Sequence, residues 1–443
     1  MGDQKTRNNS SKRLHVVLVP GFAGFDALGQ MEYYAGVTPL FEAWRSGKEV
    51  LHYFDNLPTA AVVTRAARLR EYLAKRFARG EIFAGDEVIL VGHSTGGLDI
   101  RWLLWELWDL NRRRQTIVVD GGAPVLPGEI LRSVRRVVFL SVPHWGTNIA
   151  DWVRAQWIWR KAVVDGLRAA VEGSQQLLLD RLESSIAGGA ASVTGAGLFR
   201  AVQDALTEAN ENIGKPSPSR KAEAHEAASE LGLYLRDVAS DFRAIDDLTA
   251  RAQRGNAMSP AHFGVSERKQ ELRRLRGIEF RSYLTLGRRP FRFRAGHAAP
   301  KWELANLFTY PEVTKDVAMS RGTDIVYRTC YRACAGGPLE PPPLSGKVTR
   351  SMNGASLQPI EIWDNDGIVN TLSMLWPKDE NVLVAADHMD IVGQYKPARA
   401  EPGGGRNLRA YDLLKSDSGF DEKTFRKVWE EIFSFCLGSG RKV

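Results

Sequence analysis

The chain has 443 residues, enough for one large domain with an insertion or for two domains. Apolar residues make up 44% of it and charged residues 25%, shares that are ordinary for a soluble globular protein. No apolar run in the sequence approaches the length that a membrane-spanning helix needs.

The net charge of +8 comes from 60 Lys and Arg against 52 Asp and Glu. Basic residues cluster at 112–114, 268–276 and 288–294. Such runs attract anionic surfaces or nucleic acid, or they form a solvated face. We favour the solvated face, because the runs lack aromatic platforms and the fold signature of a nucleic-acid module. No nucleic-acid partner is therefore expected.

Residues 1–13 form a polar tail without a hydrophobic segment. They contain no secretory signal, so we expect a cytoplasmic protein, or a secreted one whose signal has been removed. The three cysteines, Cys330, Cys334 and Cys436, do not make a disulfide framework, and a single pair between Cys330 and Cys334 stays open.

Strand and helix patterns alternate in the first third of the chain. Apolar runs predict buried strands at 14–19, 49–54, 88–91 and 136–142, and a 3.6-residue period predicts a helix at 60–77. This alternation favours a mostly parallel central sheet with helices on both faces.

The strand at 88–91 runs into the pattern Gly-His-Ser-Thr-Gly at 92–96. Apolar residues at helical spacing follow it: Leu98, Ile100, Leu103, Leu104 and Leu107. A serine on a sharp strand-to-helix turn holds its Oγ clear of the sheet, above a helix N-terminus that favours negative charge. Ser94 is therefore a candidate nucleophile. The alternative is an ordinary tight turn with a structural serine.

The first strand ends in the glycine-bordered segment 20–25, which we call the glycine loop. A loop in this place can turn a backbone N–H toward the serine, and acyl transfer needs two such donors at the developing oxyanion. We assign them to the N–H groups of Phe22 and Thr95. A phosphate-binding loop is discounted, because the segment has neither G-x-G-x-x-G nor a Walker lysine.

The alternation stops after Asn148, and residues 149–277 carry only helical patterns. We predict a helical lid over the serine, which shapes an apolar pocket and excludes water. Four apolar residues near its start either face that pocket or pack in a core: Trp152, Trp157, Ile158 and Trp159.

Strand patterns return at 278–286, 359–363 and 381–385, with a loop-rich segment at 287–357 and a closing helix at 422–437. Segments 14–148 and 278–443 are thus predicted to build one core around the insertion.

A serine becomes nucleophilic when a histidine takes its proton and an acid orients that histidine. On a strand–elbow–helix scaffold the order along the chain is Ser, Asp or Glu, His. Of eight histidines, His388 directly follows a late strand, so it is the predicted base. The preceding loop offers Asp364 and Asp366. Asp366 is preferred, because the glycine after it permits a tight turn.

Five segments resemble the secreted true lipases of bacteria (lipase family I), which have the α/β-hydrolase fold: 21–37, 92–97, 142–147, 365–369 and 388–390. The resemblance implies a triad of Ser94, Asp366 and His388. It also implies oxyanion donors at Phe22 and Thr95, a helical lid and long-chain acyl esters as substrates.

The chain departs from that family in several places. Pro20 stands where the family has a histidine before the loop glycine, and no cysteine follows Asp366 to form the family's disulfide. Some members hold a structural calcium. Asp390 and Gln394 match two of its ligands, but no upstream carboxylate matches the third, so no metal and no other cofactor is expected.

We expect a serine hydrolase of carboxylic esters that acts on a lipophilic ester and contacts lipid surfaces transiently. The same residues also suit an esterase, a lactonase, an amidase, a polyester hydrolase or an acyltransferase. An alternative of another class is a non-catalytic protein that binds anionic surfaces through its basic face. The complete Ser, Asp and His set argues against it.

Overall fold

The computed structural model describes residues 12–22, 27–28, 31–155, 243–249, 265–289, 325–336, 346–355, 359–395 and 412–438. Among these residues, no helix is both long enough and apolar enough to cross a membrane.

The described elements alternate between strands and helices. The strands are β1 (Leu14–Val19), β2 (Ala27–Leu28), β3 (Met31–Glu32), β4 (Glu49–Tyr53), β5 (Glu87–His93), β6 (Val134–Leu140), β7 (Glu279–Leu286), β8 (Arg350–Met352) and β9 (Glu380–Ala385). The helices are α1 (Val37–Trp44), α2 (Val62–Ala78), α3 (Thr95–Arg112), α4 (Pro127–Ser133), α5 (Asn148–Ala155), α6 (Ala244–Asp247), α7 (Val265–Arg274), α8 (Ile325–Ala335) and α9 (Glu422–Leu437). Short 3₁₀ helices cover Thr371–Met374 and Asp390–Val392.

Seven strands form one sheet in the order β4-β1-β5-β6-β7-β9-β8. Every pair in it is parallel, which confirms the predicted parallel sheet. All six residues of β1 are buried, and only the first residue of β5 is not. Burial on both faces explains why these strands read as continuous apolar runs rather than as alternating patterns.

The two faces of the sheet carry separate cores. Val17 and Val19 of β1 pack with Leu69 and Leu73 of α2 and with residues of α3. Leu14, Val16 and Leu18 lie on the opposite face with Phe41 of α1 and with Trp429 and Phe433 of α9. Adjacent strand residues thus point to opposite cores, as the two-residue period of a strand requires.

Most predicted boundaries in the two core segments are confirmed to within two residues, but the segment before the candidate acid is a correction. Residues 359–363 are not a strand. The Asp364 side chain accepts a hydrogen bond from the Glu361 N–H at 2.9 Å, and the Asp364 N–H donates to the Glu361 carbonyl at 3.0 Å, which closes a turn. Such side-chain-to-backbone bonds compete with strand pairing.

The strand at this edge of the sheet is instead β8, which lies inside the segment that was predicted to be loop-rich. There β8 pairs with β9 at the edge of the sheet, and α8 also falls in this segment. A three-residue edge strand is too short to leave a periodic pattern in the sequence. Cys330 and Cys334 lie on α8, and all three cysteines are free thiols.

Of the predicted lid, the structure describes 149–155, 243–249 and 265–277. The Thr147 N–H donates to the Leu248 carbonyl at 2.8 Å, and the Val62 N–H donates to the Asp247 side chain at 2.8 Å, so this part of the segment contacts the core. The remainder, with Trp157, Ile158 and Trp159, lies outside the described residues, and the lid stays a prediction.

Three buried polar side chains form a hydrogen-bonded row where β1 begins. This is the edge of the sheet opposite the loops that follow β1 and β5. His15 Nε2 lies 3.3 Å from an Asp86 carboxylate oxygen, and His15 Nδ1 lies 2.9 Å from His52 Nε2. Burial lowers the pKa of His52 to about 3, with smaller contributions from the charges of Arg76 and His15. The pKa of His15 is also lowered by burial, against the attraction of Asp86.

We predict that His52→Gln changes how stability depends on pH. The folded-state pKa of His52 lies below its ordinary value of 6.5, so its contribution is complete above that pH and is lost as the pH falls toward 3. The loss amounts to about 1.4 kcal/mol per pH unit. A glutamine keeps an N–H near the Nε2 position but does not titrate.

Urea unfolding followed by tryptophan fluorescence gives the difference in unfolding free energy between wild type and His52→Gln. The unfolding free energy of the variant should rise steadily relative to that of wild type as the pH is lowered below about 6.5. Titrating groups that do not interact with His52 are common to both proteins and cancel. A difference that stays constant with pH would contradict this account of His52.

Candidate active site

Ser94 lies at a strained turn between the central strand β5 and α3. Its backbone has φ 52° and ψ −127°, a conformation that residues with a side chain rarely adopt. A methyl group added at Gly96 would lie 2.4 Å from the Val19 carbonyl oxygen, and one added at Gly97 would lie 2.2 Å from Val142 Cγ2. The turn therefore needs glycines where strand, loop and helix approach one another.

His388 and Asp366 are hydrogen-bonded to each other. His388 Nδ1 donates to Asp366 Oδ2 at 2.7 Å, and the His388 backbone N–H donates to the Asp366 carbonyl at 3.0 Å. Both side chains are buried, with exposures of 4% and 0%. Because an ionised carboxylate only accepts, Nδ1 carries the proton and Nε2 is left as the basic nitrogen.

The Asp366 carboxylate is held by three further donors. Its Oδ1 accepts from the backbone N–H groups of Ile368 at 3.0 Å and Val369 at 2.7 Å. Its Oδ2 also accepts from the Thr285 hydroxyl at 2.6 Å. These hydrogen bonds fix the orientation of the carboxylate toward His388.

Asp364, the other candidate acid, points elsewhere. One of its oxygens accepts from Arg289 Nε at 3.0 Å and from Nη2 at 2.7 Å, and the other accepts from the Glu361 N–H. The structure thus brings Asp366 to His388 and leaves Asp364 in an ion pair with Arg289.

The acid loop, residues 364–370, lies at the end of β7 although almost 80 residues separate the two in sequence. Thr285 belongs to β7, and the N–H of Gly287 just beyond donates to the Asn365 carbonyl at 3.0 Å. Gly367 has φ +97°, and a methyl group there would lie 2.8 Å from the Tyr327 ring. The tight turn that favoured Asp366 from sequence is therefore present.

The loop that carries His388 contacts His93, the residue before Ser94. His93 Nε2 lies 2.9 Å from the His388 carbonyl oxygen, and the centroids of the two rings are 4.7 Å apart. Among the described residues the Ser94 hydroxyl has no hydrogen-bond partner. A hydrogen bond between a catalytic serine and its histidine often forms fully only when substrate binds.

The described part of the glycine loop lies directly against Ser94. A methyl group added at Gly21 would lie 2.7 Å from Ser94 Cβ. Arg65 Nη2 donates to the carbonyls of Pro20 at 2.7 Å and Gly21 at 3.1 Å. In a trans peptide the N–H points opposite to the C=O, so the Phe22 N–H points away from Arg65.

Arg65 is itself held in a buried ion pair. Its Nε donates to Asp99 Oδ2 at 2.9 Å, its Nη1 donates to the Leu57 carbonyl at 2.6 Å, and both charged side chains have 0% exposure. Burial raises the pKa of Asp99 to about 6, against the opposing effect of Arg65. Asp99 belongs to α3, so the pair ties the glycine loop to the helix that follows Ser94.

The second predicted donor, Thr95, is the first residue of α3. The first four N–H groups of a helix have no partner within it, and they lie at the positive end of the helix dipole. The backbone N–H of Thr95 is therefore suited to donate a hydrogen bond to a negatively charged oxygen close to Ser94.

The two residues that match the family's calcium ligands are hydrogen-bonded within the protein. The Asp390 Oδ2 accepts from the Asp387 N–H at 2.8 Å and from the Ser418 hydroxyl at 2.7 Å, while Gln394 Nε2 donates to the Glu32 carbonyl at 2.7 Å. Within the described ranges, no three His, Cys, Asp or Glu side chains converge as metal ligands.

Sequence reasoning missed two residues that hold the site, Arg65 and Thr285. Arg65 had a signal: it is three residues after Val62 and four before Leu69, on the apolar face of α2, where a charged residue needs a buried partner. Thr285 carried none, because a threonine inside an apolar strand is common.

The elbow at Ser94 follows an interior strand of a parallel sheet, and the loops with Asp366 and His388 lie at the ends of later strands. The chain has the α/β-hydrolase fold. In this fold a nucleophile, an acid and a base follow one another along the chain, and the candidates Ser94, Asp366 and His388 stand in that order.

Comparisons with known proteins find distant structural similarity. A scan against protein-family models finds no match, and no curated protein matches. The lipase of Staphylococcus hyicus is 13% identical with a TM-score of 0.41, and the alignment covers 97% of each chain. Lipase 1 from Pelosinus fermentans is 15% identical with a TM-score of 0.42, covering 98% of this chain and 100% of its own. A metagenomic carboxyl esterase is 12% identical with a TM-score of 0.40, covering 98% and 79%.

We predict that Arg65→Met destabilises the protein by about 3–5 kcal/mol, because it leaves the Asp99 carboxylate buried and unpaired. The double variant Arg65→Met/Asp99→Leu should lose less unfolding free energy than the single variant Arg65→Met. Urea unfolding measures both. As a control, Arg70→Met removes a half-buried pair with Glu106 and should lose no more than about 1 kcal/mol. If the double variant loses as much unfolding free energy as Arg65→Met and Asp99→Leu lose in sum, the two residues are not coupled.

Proposed function

We propose that the protein is a serine hydrolase that cleaves carboxylic esters. The proposal is supported by the Asp366–His388 hydrogen bond, together with the contact between the His388 backbone and His93, which precedes Ser94 in the strained elbow. An acid that orients a histidine near such a serine is the arrangement that activates a hydroxyl for attack on an acyl carbon.

In the proposed mechanism, Ser94 Oγ attacks the ester carbonyl carbon while His388 Nε2 takes the hydroxyl proton. The N–H groups of Phe22 and Thr95 donate to the oxyanion of the tetrahedral intermediate. The intermediate collapses as His388 gives the proton to the leaving alkoxide, which departs as the alcohol. Water then attacks the acyl-enzyme while His388 takes a proton from it, and His388 returns that proton to Ser94 Oγ as the carboxylic acid leaves. Asp366 stays ionised and stabilises the imidazolium.

The proposed substrate is a lipophilic ester of the acylglycerol type, as in a lipase. The support is the resemblance of the motifs around Ser94, Asp366 and His388 to the true lipases, together with the predicted lid. A lipase also contacts the lipid surface on which its substrate lies, so we propose transient contact with lipid and no nucleic-acid partner.

We predict that Ser94→Ala and His388→Asn each lower kcat/KM for p-nitrophenyl esters by roughly 10⁴-fold or more, since nucleophile and base act as a unit. Asp366→Asn should lower it by roughly 10²- to 10⁴-fold, because the imidazole loses its orientation. Asp364→Asn is the matched control and should stay close to wild type. Undiminished activity in Ser94→Ala, or equal losses in the two aspartate variants, would contradict the assignment.

The acyl chain is tested with p-nitrophenyl esters from two to sixteen carbons. For a lipase we expect kcat/KM to rise with chain length, because each buried methylene contributes about 0.8 kcal/mol to binding. A preference for the shortest esters indicates an esterase instead. Hydrolysis of matched anilides or lactones, or transfer to an added alcohol, would change the reaction class while leaving the roles of Ser94 and His388 intact.

A further inference from the structure

Three hydrogen bonds connect the glycine loop to the loop that carries His388. The Gly21 N–H donates to the Tyr33 hydroxyl at 2.9 Å, and that hydroxyl lies 2.6 Å from His93 Nδ1. His93 Nε2 lies 2.9 Å from the His388 carbonyl oxygen. Tyr33 and His93 are both buried, and His93 immediately precedes Ser94 in the chain.

The donor in each bond follows from the chemistry of the groups. A carbonyl oxygen only accepts, so the hydrogen of a neutral His93 is on Nε2, and Nδ1 must accept from Tyr33. The Tyr33 oxygen in turn accepts from Gly21. Burial lowers the pKa of His93 well below its ordinary value and raises the pKa of Tyr33, so both side chains stay neutral.

The three bonds therefore point in one direction, from Gly21 through Tyr33 and His93 to His388. Bonds aligned in this way polarise one another in a low-dielectric interior. Tyr33 and Arg65 also hold the Pro20–Gly21 peptide from opposite sides, because Tyr33 binds its N–H and Arg65 binds its C=O.

We propose that Tyr33 and His93 are positioning residues that hold the glycine loop and the His388 loop in fixed places relative to Ser94. Neither residue touches the reacting atoms. Tyr33 acts through the Gly21–Phe22 segment, which supplies an oxyanion donor, and His93 acts through the backbone of His388. This inference rests on the proposed ester hydrolysis, for which small displacements of these groups lower the rate strongly.

The test is Tyr33→Phe, which removes one oxygen atom and keeps the ring. We expect kcat per active site, counted by titration with a fluorophosphonate, to fall by about 10-fold with KM nearly unchanged. The inhibition constant of an alkyl boronic acid, which forms a tetrahedral adduct on the serine, should rise by a similar factor. A purely structural role would lower the number of active sites and the melting temperature but leave kcat per site unchanged.

The control is Tyr283→Phe. Tyr283 is equally buried, but its hydroxyl donates to Glu431 on α9 at 2.7 Å, away from the glycine loop. It should lose stability and keep kcat per site. At the second position, His93→Gln retains an N–H near the Nε2 position and should keep several-fold more kcat per site than His93→Leu.

Two results would overturn the inference, and they are distinguishable. A wild-type protein that neither hydrolyses esters nor reacts with the fluorophosphonate overturns the proposed function, and the inference with it. An active wild type whose Tyr33→Phe variant keeps its kcat per site and its boronic-acid affinity overturns the positioning role alone.

Discussion

The close approach of three backbone segments at Ser94 is the constraint on which the rest of the site depends. Gly21 lies against the serine, while Gly96 and Gly97 let α3 begin directly beneath the glycine loop and beside Val142. These contacts hold Ser94 in a conformation that is unfavourable for a free residue. Because the strands on both sides of β5 run parallel to it, the loops that follow them lie at the same edge of the sheet.

Buried hydrogen bonds hold those loops where no regular element does. Arg65 bridges the glycine loop and Asp99 of α3, while Thr285 of β7 and two backbone N–H groups fix Asp366. A buried polar group without partners is costly, so each satisfied network favours one loop position over the alternatives. The scaffold thus supplies both the positions of the candidate groups and the tautomer of His388.

The sequence predicted best what depends on local pattern. The buried strands, the elbow and α9 all have strong periodicity or a specific motif, and the chain order then selected His388. The choice of Asp366 relied on the turn at Gly367, which the structure contains. The predictions that failed concern long-range contacts. A turn closed by Asp364 replaces the strand expected at 359–363. The acid loop lies beside the end of β7, although the segment 287–363 separates the two in the chain. Roles for Tyr33 and Arg65 required the fold, because their partners are distant in sequence.

The most direct test of the central claim is to identify the residue that a fluorophosphonate labels. Trypsin cleaves after Arg79 and Arg101, so Ser94 falls in peptide 80–101. The account predicts one phosphonyl adduct, on Ser94 of that peptide, and no adduct when His388 is replaced by asparagine. Ester hydrolysis with no adduct, or with an adduct on another residue, would contradict it.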